Sequence, residues 1–395
     1  MNCRLDGMDT VRSAILGGVL LIVGALAVAL GILPAAAALG VGARVWPILL
    51  FVLAITVVTE LAAEAGLFAA VAERTASWGR GRGWLLWLFV LALSVLSTVF
   101  LSLDTTAVLL TPVVILLARH VGLSPLPFAL TTVWMANTAS LLLPVSNLTN
   151  LLATHELHGM TPLGFAGLMA APAVVAVVVP AVLLFVLYRR QLMVRYEPAE
   201  STQADDRVLL VASGATVVIL VPLLVSGIPV WMPSLTAAIV LAAFFAVRKR
   251  SVLRFSLVPW QLLLLASGLF IVVEAAHSLG LGAVLAAVSG TGGTPLDLLR
   301  LSTSGALGAN LVNNLPAYLA LEPVAGDPLR IAALLIGVNA GPLITPWASL
   351  ATLLWHHRLK SLGVEISWGR YVLLGLIAAP LTVAAASLAL ALLHP

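Results

Sequence analysis

The sequence predicts an all-α polytopic membrane protein built as an inverted-topology repeat, with about nine transmembrane helices, two polar re-entrant hairpins and two broken helices. Three observations predict this. Of 395 residues, 61% are hydrophobic and 9% are charged, whereas soluble domains carry about 25% charge. The apolar residues fall into runs of about twenty, the length that spans a bilayer. Polar clusters interrupt these runs at matching places in the two halves, although a carboxylate at the bilayer centre costs roughly 2.5–3.5 kcal/mol.

In chain order, the spans fall near 12–33, 46–70, 124–155, 162–188, 208–226, 231–247, 259–280, 328–356 and 369–393. Ala14 to Leu33 is followed by Ala35 to Ala38, which looks like a signal-peptidase site. The run is longer than the roughly 7–15 residues of a signal core, so it stands as the first transmembrane helix. Stretches 84–119 and 296–322 carry polar residues at their midpoints. As hairpins or as paired crossings, each returns the chain to the side it left. A single cysteine, Cys3, removes intrachain disulfides and Cys-based metal sites from consideration. No cofactor and no metal is expected.

With the N-terminus in the cytoplasm, Arg4, Arg12, Arg74, Arg80, Arg82, Arg119, Arg189, Arg190, Arg195, Arg207, Arg248, Lys249, Arg250, Arg254, Arg358, Lys360 and Arg370 lie inside. These are seventeen of the twenty basic residues, and only Arg44, Arg300 and Arg330 fall outside. The positive-inside rule favours this orientation, with the C-terminus outside. The location is the cell (plasma or inner) membrane. The net charge of +4 sits in short loops as a topology signal, and no nucleic-acid partner is implied.

Trp46, Glu60, Gly66 and Leu67 recur 214 positions later as Trp260, Glu274, Gly280 and Leu281. Asn137, Pro144, Leu148, Leu151 and Leu152 recur 202 positions later as Asn339, Pro346, Leu350, Leu353 and Leu354, and Ala171-Pro172 is echoed by Ala379-Pro380. The chain reads as one transporter domain: a first repeat over 12–188, a cytoplasmic linker and connecting helix over 189–230, and a second repeat over 231–393. Helix 208–226 is the odd span that inverts the second copy. Inverted repeats with broken helices and a midplane site are the architecture of secondary transporters.

The polar residues at the two centres are the candidate binding groups. They are Ser102, Asp104, Thr105 and Thr106 at the first hairpin tip, then Asn137, Thr138, Ser140, Ser146 and Asn147 around Pro144. Their counterparts are Asn310, Asn313 and Asn314 at the second tip, with Asn339, Thr345 and Ser349 around Pro346. A proline cannot donate a backbone hydrogen bond, so each break frees amides and carbonyls that are tolerated only in protein or a wet cavity. Asp104 is the candidate for proton coupling, because a carboxylate there can load and release a proton in each cycle. The second tip has no acid, so the halves share geometry but not charge. Glu60 and Glu274 occupy equivalent positions, while Glu64 and His277 read as interfacial. His155, His158, His356 and His357 read as solvated loop-edge residues.

Four stretches resemble the ArsB arsenite and antimonite efflux permeases of the ion-transporter superfamily: Ser102 to Pro112, Ala136 to Asn150, Asn310 to Pro316 and Asn339 to Trp355. The resemblance implies uphill export of trivalent arsenic or antimony driven by inward proton flow, sometimes with a partner ATPase. The chain departs from that pattern at four places. Leu103 precedes Asp104 where the family commonly has Asn-Asp, Asn137 and Asn339 stand where it tends to have Asp, and Leu343 stands where it often has Lys.

An arsenite exporter handles a neutral trihydroxide, which suits a cavity of Asn, Ser and Thr. A dicarboxylate carrier needs cationic groups or strong helix-dipole focusing; the sequence offers no intramembrane Arg or Lys and lacks the Ser-Asn-Thr tip signature of those carriers. A sodium/proton antiporter is the alternative, since Asp104 with oxygen donors could coordinate sodium. An intramembrane enzyme would need a nucleophile–base pair or metal ligands, and none is visible. The expected partners are the small inorganic solute, protons and lipid, with an ATPase subunit and a homodimer left open.

Overall fold

The computed structural model describes residues 3–157, 160–197 and 206–393, with side chains from Ile15 onward. His158 and the side chains of Cys3, Arg4 and Arg12 lie outside the described residues. Among the described residues every regular element is helical, apart from one antiparallel bridge between Arg82 and Arg195.

The chain begins with α1 (Cys3–Ala29), α2 (Ala35–Glu64) and the short α3 (Leu67–Trp78). The first hairpin follows, with arms α4 (Gly83–Phe100) and α5 (Thr111–His120), then the broken helix α6 (Pro125–Thr138) and α7 (Leu148–Glu156), closed by α8 (Pro162–Leu192). Helix α9 (Arg207–Val225) leads to α10 (Trp231–Arg248), α11 (Trp260–Ser278) and the short α12 (Leu281–Ser289). The second hairpin has arms α13 (Pro295–Leu311) and α14 (Asn314–Ala325). The broken helix α15 (Pro328–Ala340) and α16 (Leu350–Ser361) follows, closed by α17 (Trp368–Leu393). Seven described helices are long and apolar enough to cross a membrane: α2, α4, α8, α9, α10, α11 and α17. Helix α4 is a hairpin arm, so the other six, α1 and the two broken helices supply the nine expected crossings.

The ends of these helices carry the residues that such ends require. Asp206 Oδ1 accepts from Val208 N and Leu209 N at the start of α9, and Asp327 Oδ1 accepts from Leu329 N and Arg330 N at the start of α15. Thr294 and Asp297 form a reciprocal capping box on α13. Gly66 and Gly280, matched in sequence, are also matched in conformation. Both hold positive φ (80° and 94°) at the turn into α3 and α12, a region that a side chain resists.

The two halves exchange their leading helices. Helix α1 lies along α11, and α10 lies along α2. Small residues permit the first contact: a Cβ on Gly17 would stand 2.7 Å from the Leu265 amide nitrogen, and one on Gly268 would stand 2.7 Å from the Leu20 Cβ. In the second, the Trp46 and Trp231 rings pack 5.6 Å apart. Helices α8 and α17, with Pro172 and Pro380, pack against each other. Val174, Val178 and Val182 recur one turn apart on the exposed face of α8, as a lipid-facing stripe should.

Both hairpins return to the side they came from. Gly83, at the start of α4, sits beside Leu123, just past α5. In the second hairpin one buried side chain fastens the two ends. Arg330 donates from Nε to Ala325 O at 2.9 Å and from Nη2 to Gly290 O at 2.6 Å, with Nη1 on Gly292 O. A buried cation needs such partners. One end of the molecule gathers Arg119 on Leu362 O and Gly363 O, Asp206 on Arg248 at 2.7 Å, and Lys249 on Glu64 at 3.4 Å. The hydrogen bond from Arg248 holds the Asp206 carboxyl below the usual carboxylate range. The opposite end gathers Arg44, Glu156, Glu322 and Arg330. His356 departs from expectation: it is buried rather than solvated, with its ring stacked 3.8 Å from that of Trp368.

Candidate translocation site

Both broken helices part in the same way. Pro144–Ser146 and Pro346–Ala348 each form a single 3-10 turn, and the next residue, Asn147 or Ser349, lies in extended backbone. That residue occupies the N-cap position of the second half-helix, so α7 and α16 both start beside the breaks with N–H groups and the positive end of the helix dipole. Asn147 accepts from Thr149 N through Oδ1. The Ser349 hydroxyl is fully buried and bonds to nothing among the described residues.

Around these starts the side chains form a network between the repeats. Asn339 Oδ1 accepts from Asn147 Nδ2 and from Thr149 Oγ1, each at 2.9 Å. Asn339 Nδ2 donates to Asn150 Oδ1 at 2.8 Å. Asn150 Nδ2 then donates to Ser140 O at 2.6 Å and Leu143 O at 2.9 Å, satisfying carbonyls released by the break. Ser140 Oγ donates to Asn137 O at 2.7 Å and receives Asn147 Nδ2 at 3.4 Å. Asn137, the repeat equivalent of Asn339, donates to Thr352 Oγ1 at 3.4 Å. Thr352 is the repeat equivalent of Asn150, so one cross-repeat interaction is made twice. All of these side chains are buried. A buried amide left unpaired costs about 1–3 kcal/mol, which is why the network is complete.

The hairpin tips are also matched. Ser102 (φ 137°) and Asn313 (φ 140°) hold backbone conformations rare for residues with side chains, a form of strain that concentrates at functional sites. Ser102 Oγ lies 3.1 Å from Thr105 Oγ1, and Asn313 Oδ1 accepts from Leu315 N at 3.2 Å. After the first tip, residues Thr105–Leu110 form a π-helical turn, a feature frequent at functional sites. Within it, Thr106 Oγ1 receives Thr98 Oγ1 at 2.8 Å, and just beyond it Thr111 Oγ1 lies 2.7 Å from Thr132 Oγ1. Asp104 stands at the head of this turn, half-buried, and no hydrogen bond or ion pair among the described residues reaches its carboxylate.

Each tip is pinned to the neighbouring break. Ser146 Oγ donates to Val99 O at 2.8 Å in the first half. In the second, Thr345 Oγ1 and Trp347 Nε1 both donate to Asn310 O, and Asn310 Oδ1 accepts from Thr345 N at 2.9 Å. Asn310 Nδ2 spans to Gly341 O and Asn313 Nδ2 to Trp347 O, each at 2.9 Å.

A family model described as citrate transporter matches residues 12–352. The arsenical pump membrane protein of Escherichia coli (strain K12) is 31% identical over 359 residues, covering 84% of this chain and 83% of that protein. A second Escherichia coli protein of that name is 31% identical over 398 residues, covering 94% and 90%. The chain belongs to the arsenical pump membrane protein family. The arsenical pump membrane protein of Yersinia enterocolitica is also 31% identical, over 366 residues. In fold, this family member is similar to the YdaH transporter of Alcanivorax borkumensis, whose crystal structure shows an unusual topology. The TM-score is 0.63, over 97% of both chains, at 17% identity.

Of the residues that the sequence marks in this arsenical pump relative, Asn137, Ser140, Asn147 and Asn339 meet in the amide network. Ser146, Asn310, Asn313 and Thr345 instead hold the tips to the breaks. Thr105 and Thr106 lie in the π-helical turn with Ser102 and Asp104 at its entrance, and Thr138 Oγ1 bonds within its own helix to Trp134 O. Asn314 is buried at the start of α14 and Ser349 at the start of α16. Three members of the network escape a reading by residue type: Thr149, Asn150 and Thr352. The repeat offset that links Asn137 to Asn339 also links Asn150 to Thr352, and was the available signal. Arg44, which the sequence places before the second apolar run, lies within α2. It is nine residues past the start of α2, half-buried and ion-paired with Glu322.

Proposed function

We propose that this protein is a secondary transporter exporting arsenite and antimonite in exchange for protons, by alternating access around the site between the two hairpins. The observation that carries this is the pairing of a neutral amide and hydroxyl centre with one uncommitted carboxylate, Asp104. It occurs in a chain 31% identical to arsenical pump membrane proteins over most of its length. Arsenite near pH 7 is an uncharged trihydroxide, and its three hydroxyls can donate to and accept from Asn, Ser and Thr groups and the N–H ends of α7 and α16. In this reading Ser349, whose hydroxyl has no partner among the described residues, contacts the solute. Asp104 takes a proton from outside and gives it up inside.

The same reading sets repeats at 12–188 and 231–393, joined by 189–230, with the N-terminus in the cytoplasm, the C-terminus outside, and the protein in the inner membrane. Exchange through Asp104 needs no nucleotide. An ATPase subunit or a second copy would act on this unit rather than complete its site. The description of the family model favours a second reading, citrate transport. A citrate anion would have to be held by the N–H ends of α7 and α16 without help from Arg44, which is already committed to Glu322 and Glu156.

Everted membrane vesicles given arsenite, antimonite, sodium or citrate in parallel test the proposal. Arsenite or antimonite uptake that discharges a proton gradient supports it. Sodium-driven discharge without arsenite uptake supports an antiporter, and citrate uptake supports the second reading.

A further inference from the structure

Apart from the amide network, a second polar cluster lies at the end of the molecule where α2 begins, the outer end in the orientation proposed above. Arg44 Nη2 donates to Glu322 Oε1 at 2.5 Å, and the same oxygen receives Tyr318 Oη at 2.6 Å. Glu322 is only 5% exposed and Tyr318 is fully buried. Arg44 Nη1 lies 3.5 Å from Glu156 Oε1, and Nη2 lies 3.5 Å from Leu152 O. Glu274 and His277 of α11 complete a cavity of about 160 Å³ beside this cluster.

The placement of the three charges is informative. Helix α7 starts at the amide network and ends at Glu156. Helix α14 starts at the second hairpin tip and carries Glu322 two turns later. These are the two half-length elements that lead from the centre to the outer end, and one guanidinium from α2 holds both. The sequence repeat does not reproduce the pair at the other end. At the 214-residue offset Arg44 matches Val258, and by alignment of the hairpin tips Glu322 matches Thr111. A buried ion pair that merely fastened helices could be replaced by apolar packing without loss. Placed across the repeats at one mouth only, it can separate as those helices move.

We propose that Arg44, with Glu322 and Glu156, is the outer gate of the transport path, closed in the arrangement described and opened when the guanidinium releases one carboxylate. This rests on the transport reading above. The test uses full-length protein with Cys3→Ser and a reporter Leu148→Cys, at the start of α7, exposed to a membrane-impermeant thiol reagent from outside. Glu322→Gln should raise the outside labelling rate severalfold, and the swap Arg44→Glu with Glu322→Arg should bring it back toward the parent. Unchanged labelling in folded Glu322→Gln protein would overturn the gate. Should that variant not fold, the pair Arg44→Cys with Glu322→Cys decides. Joined by a short bifunctional thiol reagent, it should stop arsenite flux until released, and undiminished flux through fully joined protein would overturn the gate. Labelling needs no substrate, so a chain that never moves arsenite refutes the transport reading while labelling still decides the gate.

Discussion

Asn339 donates its side-chain amide to Asn150 Oδ1 at 2.8 Å, joining residues 189 positions apart in the sequence. The bond ties the end of α15, in the second half, to the first turn of α7, in the first. Its counterpart from Asn137 to Thr352 ties α6 to α16. The two breaks are therefore held by each other and not only by their own helices, so a solute bound between them meets both halves of the molecule.

Asn339→Leu should be among the most damaging substitutions at the centre. It leaves Asn150 Oδ1 and Thr149 Oγ1 without this partner and removes one of two acceptors from Asn147. Each orphaned buried group costs about 1–3 kcal/mol. The thermal midpoint in detergent should fall by several degrees and solute transport should be lost. A midpoint equal to the parent's would show that the network is not under this constraint.

Ser349→Ala should behave in the opposite way. Its buried hydroxyl has no partner among the described residues, so removing it gives up no hydrogen bond and stability should equal or exceed the parent's. If the hydroxyl contacts the solute, the arsenite KM should rise with little change in the amount of folded protein. A large stability loss with an unchanged KM would make Ser349 a structural residue.

Arg330→Lys tests the clasp of the second hairpin. Lysine keeps the charge but not the planar fork that reaches Gly290, Gly292 and Ala325 together. Each hydrogen bond to a charged group is worth about 1.5–3 kcal/mol, so thermal unfolding of Arg330→Lys should shift downward markedly. Retained stability would mean that the hairpin ends are fastened elsewhere.

The orientation is open to direct labelling. A cysteine introduced beside Lys360 should react only from the cytoplasm, and one beside Gly326 only from outside, both in a Cys3→Ser background. The reverse pattern would invert the molecule and move Arg44 and Glu322 to the inner end.

Much of this was legible in the sequence because hydrocarbon enforces a simple grammar. Chain in lipid must form helix to satisfy its own backbone, so a proline or a cluster of amides within an apolar run marks a break. That is why 102–106, 137–147, 310–314 and 339–349 stood out. Asn150 and Thr352 did not, because their equivalence joins an amide to a hydroxyl and their partners lie in the other half of the chain. Arg44 lies inside α2 although the sequence places it before the span, for a different reason. The residues before it, from Ala35 to Gly42, are mostly alanine and glycine, so the strongly apolar run begins only at Trp46. In the structure α2 already starts at Ala35, which carries Arg44 inward to Glu322. The buried stacking of His356 on Trp368 depends on α17 returning to α16, which no local pattern records.

Proton-coupled export through Asp104 is tested most directly by gradient-driven arsenite flux in proteoliposomes containing purified parent protein or Asp104→Asn. The parent should move arsenite against its gradient while discharging an imposed pH difference. Folded Asp104→Asn protein should do neither. Arsenite flux in Asp104→Asn at the parent's rate, with the pH difference still discharged, would contradict it.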